Sequence, residues 1–528
     1  MNNEPARGSD EAPPAASSPN PSSSPTPSRT RRLFGGWSAN LLQVVLGVTQ
    51  QVALVPVFLH YWTSDVLAAW LAIYAAGNLV LVADAGLQFR AINRFLGFKS
   101  SVDCDGRTAC FYAAMRRIYF GWAGLLIVLV LIVTRFVSPA VVLGFQAVPD
   151  FDAAFVVMMV GLLLSLPANL VSGLYRARGL YGRAVGLQNW AMLLAQLGQL
   201  VAIITTGSLL AVTIAYAAAQ VLMMLYFVGI DASRMVAPLR GVRVRHSWSW
   251  ITGQFRKAAP FAMAGATDLA LLNLPVLLVS ALVSDRVAVA QWGLTRVAAG
   301  LVRALCVQVT LPLAAELGHD YAIGLKDLLR SLYARGSVFI TLLASAVVSG
   351  LLPFWSDFFA LWTHGAVRYD PLLTMTLLIG ASAAAPSILA SNYANYSNRG
   401  ELLVRTKGLQ LGVFLILSVV LIPPLGPLGA AISVVASDLL IQFGVLGLII
   451  IRQTLERPLR HVVFLAALMV CVTLAGWALG TIIRSMTPGA GLMRFVSECA
   501  LWLIVVAVAA TPLVNPGFRA QLDARIPK

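Results

Sequence analysis

Charge is what this sequence has least of: only 11% of its 528 residues are Asp, Glu, Lys or Arg, against 59% hydrophobic ones. A water-soluble globule cannot be built from that mixture, because too few polar residues remain to cover its surface. Acidic residues are scarcer still, 22 against 38 basic ones, which gives a formal net charge of +16. Cysteine is rare and scattered over Cys104, Cys110, Cys306, Cys471 and Cys499. Cys104 and Cys110 share a loop, but without a matching second pair or a nearby His, so the thiols read as spectators rather than zinc ligands or a disulfide framework. The chain also lacks a GxxxxGK[ST] stretch, which excludes nucleotide hydrolysis through a Walker A motif.

What is abundant is long apolar sequence. Fourteen stretches reach the roughly 20 residues that a helix needs to cross a bilayer. They run near 38–60, 66–88, 118–137, 152–175, 184–205, 208–230, 258–283, 287–315, 337–355, 369–396, 408–424, 428–451, 461–482 and 495–514. The fold class is therefore an all-α polytopic membrane protein. The weakest pair flanks "LIPPLGPLGAA", where Pro423, Pro424 and Pro427 make either a tight turn or a kink; losing that pair gives twelve helices.

Orientation follows from the basic residues in the short loops. With the N-terminus in the cytoplasm, 31 of the 38 Lys and Arg fall on the cytoplasmic side. Five fall outside (Arg135, Arg286, Arg368, Arg484 and Arg494), and Arg296 and Arg303 lie within a membrane helix. The basicity thus faces the anionic inner surface of the membrane and does not imply nucleic acid. Residues Met1–Ser28 hold seven Pro and seven Ser and no apolar core, so 1–32 reads as a disordered cytoplasmic tail rather than a cleaved signal peptide.

The chain repeats itself. "SDVLAAWLAIYAAGN" from Ser64 returns about 220 residues later as "SDRVAVAQWGLTRVAAG" from Ser284, each at the outer turn of a helical hairpin that starts in the cytoplasm. This predicts two parallel six-helix bundles, 33–230 and 258–453, around a central cavity. Between them, 231–257 is a cytoplasmic linker whose "WSWITGQFRKA" reads as an interfacial helix. Two additional helices and a short cytoplasmic tail occupy 454–528.

Over about Arg31 to Gln453 the sequence resembles the polysaccharide, or O-antigen, flippases (Wzx-type) of the multidrug/oligosaccharidyl-lipid/polysaccharide exporter superfamily. The resemblance lies in local patterns kept in order: Asn40 early in the first helix, "DAGLQFRAINR" (Asp84 to Arg94), "PANLVSGLYRARGLYGRA", "AVAQWGLTRVAAGLV", "LPLAAELG", and "NYANYSNRGELLVRTKGLQLGVFLILSVVLIPPLGPLGAAIS". It implies a flippase moving an undecaprenyl-diphosphate-linked oligosaccharide across a bacterial inner membrane. Membrane lipids and other polysaccharide assembly proteins would be its partners. It implies no cofactor beyond coupling to H⁺, Na⁺ or the membrane potential.

A cavity for such a cargo should offer cations to the diphosphate and neutral hydrogen-bonding groups to the sugars. Arg296 and Arg303 are seven residues apart and project from nearly one face of the eighth helix. Counted from the turn near Ser284 at about 1.5 Å per residue, Arg296 lies about 18 Å deep and Arg303 about 28 Å. Asp268, about 24 Å from the same turn, matches Arg303 as an ion-pair partner, with cavity lining as the alternative. Arg296 has no acidic residue at its depth in the hairpin and is the candidate diphosphate ligand, against a partner on another helix or a carbonyl.

At the cytoplasmic mouth, Asn40, Asp84, Arg90 and Arg94 could receive the diphosphate. Alternatively, Asn40 and Asp84 bond to each other or to backbone, and the two arginines only set topology. Asn78 and Asn273 are candidates for sugar hydroxyls, as are Gln50, Gln51, Asn169, Gln188, Asn189, Asn392 and Asn395, with helix packing as the other reading. Two further functions stay open: a cation-coupled drug or toxin antiporter, for which Asp84 sits at the mouth rather than deep, and a polyprenyl-dependent glycosyltransferase or ligase, disfavoured by short outer loops.

Overall fold

The computed structural model describes residues 29–84, 86–98, 106–236, 239, 247–397, 399–487 and 491–511. The N-terminal tail to residue 28, Cys104, the loop residues Arg240, Arg243 and Arg245, and the C-terminal tail from residue 512 lie outside them. The described residues form helices and turns only, without strands.

Thirteen helices are long and apolar enough to cross a membrane. A fourteenth, α1, is built from Arg29–Val48, a π-helical turn at Thr49–Ala53 and Leu54–Tyr61. The others are α2 (Ser64–Asp84), α3 (Arg107–Phe136), α4 (Phe151–Ala177), α5 (Tyr181–Thr206), α6 (Leu209–Met235), α7 (Trp248–Leu282) and α8 (Val287–Ile323). They continue with α9 (Lys326–Trp362), α10 (Pro371–Tyr396), α11 (Gly400–Leu425), α12 (Pro427–Thr454), α13 (Pro458–Met486) and α14 (Leu492–Ala510). The Leu87–Phe98 helix follows α2 without crossing. The segment from Trp248 forms the first turns of α7 rather than a separate helix, because Ser247 caps it and nothing breaks the run into the membrane.

The proline-rich stretch is a turn. Pro423 and Pro424 end α11, Gly426 takes a positive φ of 58°, and Pro427 opens α12 at a position that needs no N–H. Two antiparallel spans result, so with α1 the described residues hold fourteen candidate membrane helices.

Within the membrane, buried amides join helices. Asn189 and Gln196 of α5 donate to the Ala39 and Leu46 carbonyls of α1 at 2.8 and 2.7 Å, and Gln50 of the π turn donates to Gln199 at 3.1 Å. Asn392 of α10 donates to Thr310 of α8 at 2.8 Å. Three of the candidate amides, Gln50, Asn189 and Asn392, thus make helix-packing bonds, as does Gln196, which was not among the candidates.

The first half packs α1 on α5, α5 on α6, and α6 and α3 on α4; the second packs α8 on α9 and α10, and α11 on α7 and α12. The halves meet where α2 contacts α7 and α8. α13 and α14 pack on the outer side of α9, with most of their surface facing outward.

Parallels between the halves recur in the packing. Gly161 of α4 sits against Ala217 of α6, and Gly380 of α10 against Val435 of α12. Arg183 at the start of α5 pairs with buried Asp231 at the end of α6, which also accepts from the Tyr175 hydroxyl at 2.5 Å; Arg399, before α11, donates to Gln453 at the end of α12. A Cβ at Gly161 would lie 2.5 Å from the Ala217 Cβ, with helix backbone behind it. Gly161→Val is therefore expected to cost about 1–3 kcal/mol through overpacking, read as a lower thermal unfolding midpoint; an unchanged midpoint would show that α4 and α6 can part here.

Candidate functional site

The α7–α8 hairpin carries the membrane-embedded cations, and its outer turn is anchored on the other half. Asp285 accepts from the Val287 amide at 3.0 Å, opening α8. Arg286 donates to the Ser280 carbonyl at 2.7 Å and to the Leu143 carbonyl, between α3 and α4, at 3.1 Å, with its guanidinium 5.6 Å from the Phe145 ring. Nearby, the Trp362 indole donates to the Val52 carbonyl in the π turn of α1 at 2.6 Å.

Ten residues deeper along α8, Arg296 is half-buried, and its Nη1 donates to the Leu272 carbonyl of α7. Among the described residues, no carboxylate pairs with it. Pro275 in α7 cannot donate to the Leu271 carbonyl, which loosens the helix next to this acceptor. Gly293, one turn before Arg296, lets α2 approach: a Cβ there would lie 2.8 Å from Leu71 Cδ1. Tyr74 lies one turn after Leu71 on α2. The Tyr74 ring stands edge-on to Tyr216 at 5.7 Å and lies 5.9 Å from Trp70. Beside Leu272, Asn273 is buried; its Nδ2 donates to the Leu269 carbonyl at 3.0 Å and its Oδ1 has no partner among the described residues. Thr295 Oγ1 and Trp292 Nε1, also buried, lack partners too.

A second group lies further along. Asp268 of α7 accepts from Lys407 Nζ of α11 at 2.7 Å and faces Arg303 Nη2 at 3.7 Å. The other side of Arg303 faces Asp438 of α12 at 3.6 Å, and Gln410 donates to Asp438 at 2.5 Å. The expected Arg303–Asp268 pair is thus the looser part of a four-charge network whose shortest ion pair is Lys407–Asp268. The Arg303 and Asp268 side chains are 46% and 50% exposed, whereas Lys407 is 5% exposed. Lys407, Gln410 and Asp438 escaped the sequence reading. Lys407 fell one residue before the expected span and counted as a topology charge, although Asp438, the one acidic residue in the apolar run of α12, was a usable signal.

The expected cluster at the mouth is not assembled. Asn40 turns toward α5 and accepts from the Tyr181 hydroxyl at 3.0 Å. Asp84 turns the other way: it accepts from the Tyr119 hydroxyl at 2.7 Å, from Asn169 at 3.4 Å and, as a cap of the Leu87–Phe98 helix, from the Gln88 amide at 3.0 Å. Similar depth did not make Asn40 and Asp84 partners: Asn40 bonds to α5, Asp84 to α3 and α4. Arg90 donates to buried Gln254 of α7 at 3.3 Å, linking the halves, and burial followed by the Arg94 charge lowers its proton affinity. Arg94 is exposed, with its guanidinium 5.1 Å from the Phe98 ring. Asn78 is half-buried on α2 and its side chain has no hydrogen-bond partner among the described residues. The side chain of Gln51 is outside the described set. No group of three or more His, Cys, Asp or Glu among the described residues is placed to hold a metal.

The helical arrangement can be set beside solved structures. The lipid II flippase MurJ in its inward closed conformation superposes with a TM-score of 0.66 at 11% identity, covering 92% of this chain and 100% of its own. The fold is that of the MOP-superfamily transporters. An inward-facing multidrug-resistance MATE transporter of the MOP superfamily matches with a TM-score of 0.58 at 14% identity over 77% of this chain and 96% of its own. A MOP transporter from Pyrococcus furiosus, described as having a binding pocket of reversed polarity, matches at 0.50 and 13% identity over 79% and 93%. No protein-family model and no curated protein sequence matches the chain.

Proposed function

We propose that this protein is a flippase that moves an undecaprenyl-diphosphate-linked oligosaccharide from the cytoplasmic to the periplasmic leaflet of a bacterial inner membrane, for surface polysaccharide biosynthesis. The observation that carries this reading is Arg296: a guanidinium held inside a membrane fold with, among the described residues, a single carbonyl acceptor and no carboxylate. A central Arg costs about 2.5–3.5 kcal/mol to insert and normally faces an interior cavity. One carbonyl uses one of its five donors, leaving a fork suited to phosphate oxygens.

Asn78, the Asn273 Oδ1 and the Thr295 Oγ1, which have no partner among the described residues, are the neutral groups offered to sugar hydroxyls, and Arg303 is a second cation on the path. The solved flippase covers 92% of this chain against 77% for the MATE transporter, so the flippase likeness extends over more of the fourteen-helix chain. In this reading both termini are cytoplasmic, H⁺, Na⁺ or the membrane potential drives the cycle, and other polysaccharide assembly proteins supply and consume the cargo.

The second reading, a cation-coupled drug antiporter, draws on the MATE likeness and on Asp84, a carboxylate in the first half held by Tyr119 and Asn169. The deciding experiment deletes the gene and quantifies lipid-linked oligosaccharide in the inner membrane alongside surface polymer. Complete oligosaccharide should accumulate while polymer falls, with wild type reversing both and Arg296→Ala reversing neither. Unchanged glycans with altered sensitivity to cationic compounds would replace this reading with the antiporter. Incomplete oligosaccharide would point to an assembly enzyme.

A further inference from the structure

Away from the central site, α3 of the first half and the opening turns of α7 of the second enclose an open groove of about 440 Å³. That volume falls within the ~300–1,000 Å³ usual for ligand sites. Trp122 and Leu125 form one wall; Trp250, Ile251 and Phe255 form the other; Gly121 leaves the groove clear and Arg117 stands at one end. The walls are held in place. Trp122 donates to the Ala83 carbonyl at 2.7 Å and packs edge-on against Phe255 at 5.2 Å, and Trp250 meets Phe111 at 6.2 Å.

Two features identify the occupant. The groove opens onto the apolar outer face of α3, where Leu125, Val128, Leu129 and Ile132 are exposed. A chain leaving the groove therefore continues into the hydrocarbon of the bilayer. At the other end the lining changes from rings to the exposed Arg117 guanidinium, one helical turn from Gly121. Apolar rings, an interfacial tryptophan and one cation in that order match an acyl chain, the interface and a phosphate.

We propose that this groove binds one anionic glycerophospholipid, with its phosphate at Arg117 and one acyl chain between Trp122 and the α7 aromatics. The site touches both halves on the membrane side and does not depend on what the central cavity carries. Because alternating access rocks one bundle against the other, a lipid seated across α3 and α7 favours the arrangement in which Trp122 and Phe255 are in contact.

Native mass spectrometry of the purified full chain, titrated with phosphatidylglycerol or phosphatidylcholine, tests the site. Wild type should retain one phosphatidylglycerol in preference to phosphatidylcholine by about fivefold, the size of one basic residue's attraction to an anionic lipid surface. A Cβ at Gly121 meets nothing within 4 Å, so a side chain has room to start there and Gly121→Leu extends into the groove; it should lose the retained lipid while keeping its delipidated unfolding midpoint. Arg117→Gln should keep a lipid but lose the headgroup preference, which keeps the test alive should Gly121→Leu misfold. Equal retention of both lipids by wild type, or undiminished phosphatidylglycerol on Gly121→Leu, would each overturn the proposal.

Discussion

Arg296→Ala is expected to lower translocation by roughly ten- to a hundredfold while the protein folds normally. The magnitude follows from what a guanidinium gives a phosphate in a dry site: charge-assisted hydrogen bonds worth about 1.5–3 kcal/mol, at about 1.4 kcal/mol per factor of ten. Folding should survive because the substitution removes a costly membrane cation and strands no carboxylate; its one acceptor, the Leu272 carbonyl, lies within α7. Arg296→Met separates charge from bulk and should be as impaired as Arg296→Ala. Arg296→Lys keeps the charge but replaces a planar fork with a point donor, so it should recover only part of the activity. Transport of lipid-linked oligosaccharide into the outer leaflet, measured in vesicles with each variant at matched amounts, decides the matter. Full transport by Arg296→Met would remove Arg296 from the cargo path and leave it a structural arginine bound to a carbonyl.

Arg296 stands out in the sequence because its signal is one-dimensional: with Arg303 it is one of two cations in an apolar run, and its depth follows from counting along one helix. Most of the spans were legible for the same reason, but Pro423, Pro424 and Pro427 left a turn and a kink equally open, and the positive φ of Gly426 between them decides for the turn. Properties that depend on the direction in which a side chain points were not. Asn40 and Asp84 share a depth yet bond to different helices, α5 in one case and α3 with α4 in the other. Lys407 and Asp438 reach Asp268 and Arg303 only because α7, α8, α11 and α12 converge, and no spacing along one strand of sequence encodes that convergence. The paired glycines Gly161 and Gly380 show the converse, a repeat written in packing where the flanking residues, Ala217 and Val435, differ in size.

The convergence makes Lys407 the other residue whose loss should matter most. The network holds two cations and two carboxylates, so its members neutralise one another in a medium that cannot solvate an excess charge. Lys407→Met deletes the most buried member and the shortest ion pair, 2.7 Å to Asp268. It leaves Arg303 to serve two carboxylates from 3.7 and 3.6 Å. Orphaning a fully buried charge costs about 3–5 kcal/mol; Asp268 is half-exposed, so about 2 kcal/mol or more is expected, read as a lower thermal unfolding midpoint in bicelles. Asp268→Asn in the same chain removes the excess negative charge and should restore most of that loss. The sign of the coupling is therefore diagnostic: the double variant should be more stable than Lys407→Met alone. Additive losses, with the double variant the least stable of the three, would show that Lys407 and Asp268 stabilise the bundle separately and that the charges are not balanced as a unit.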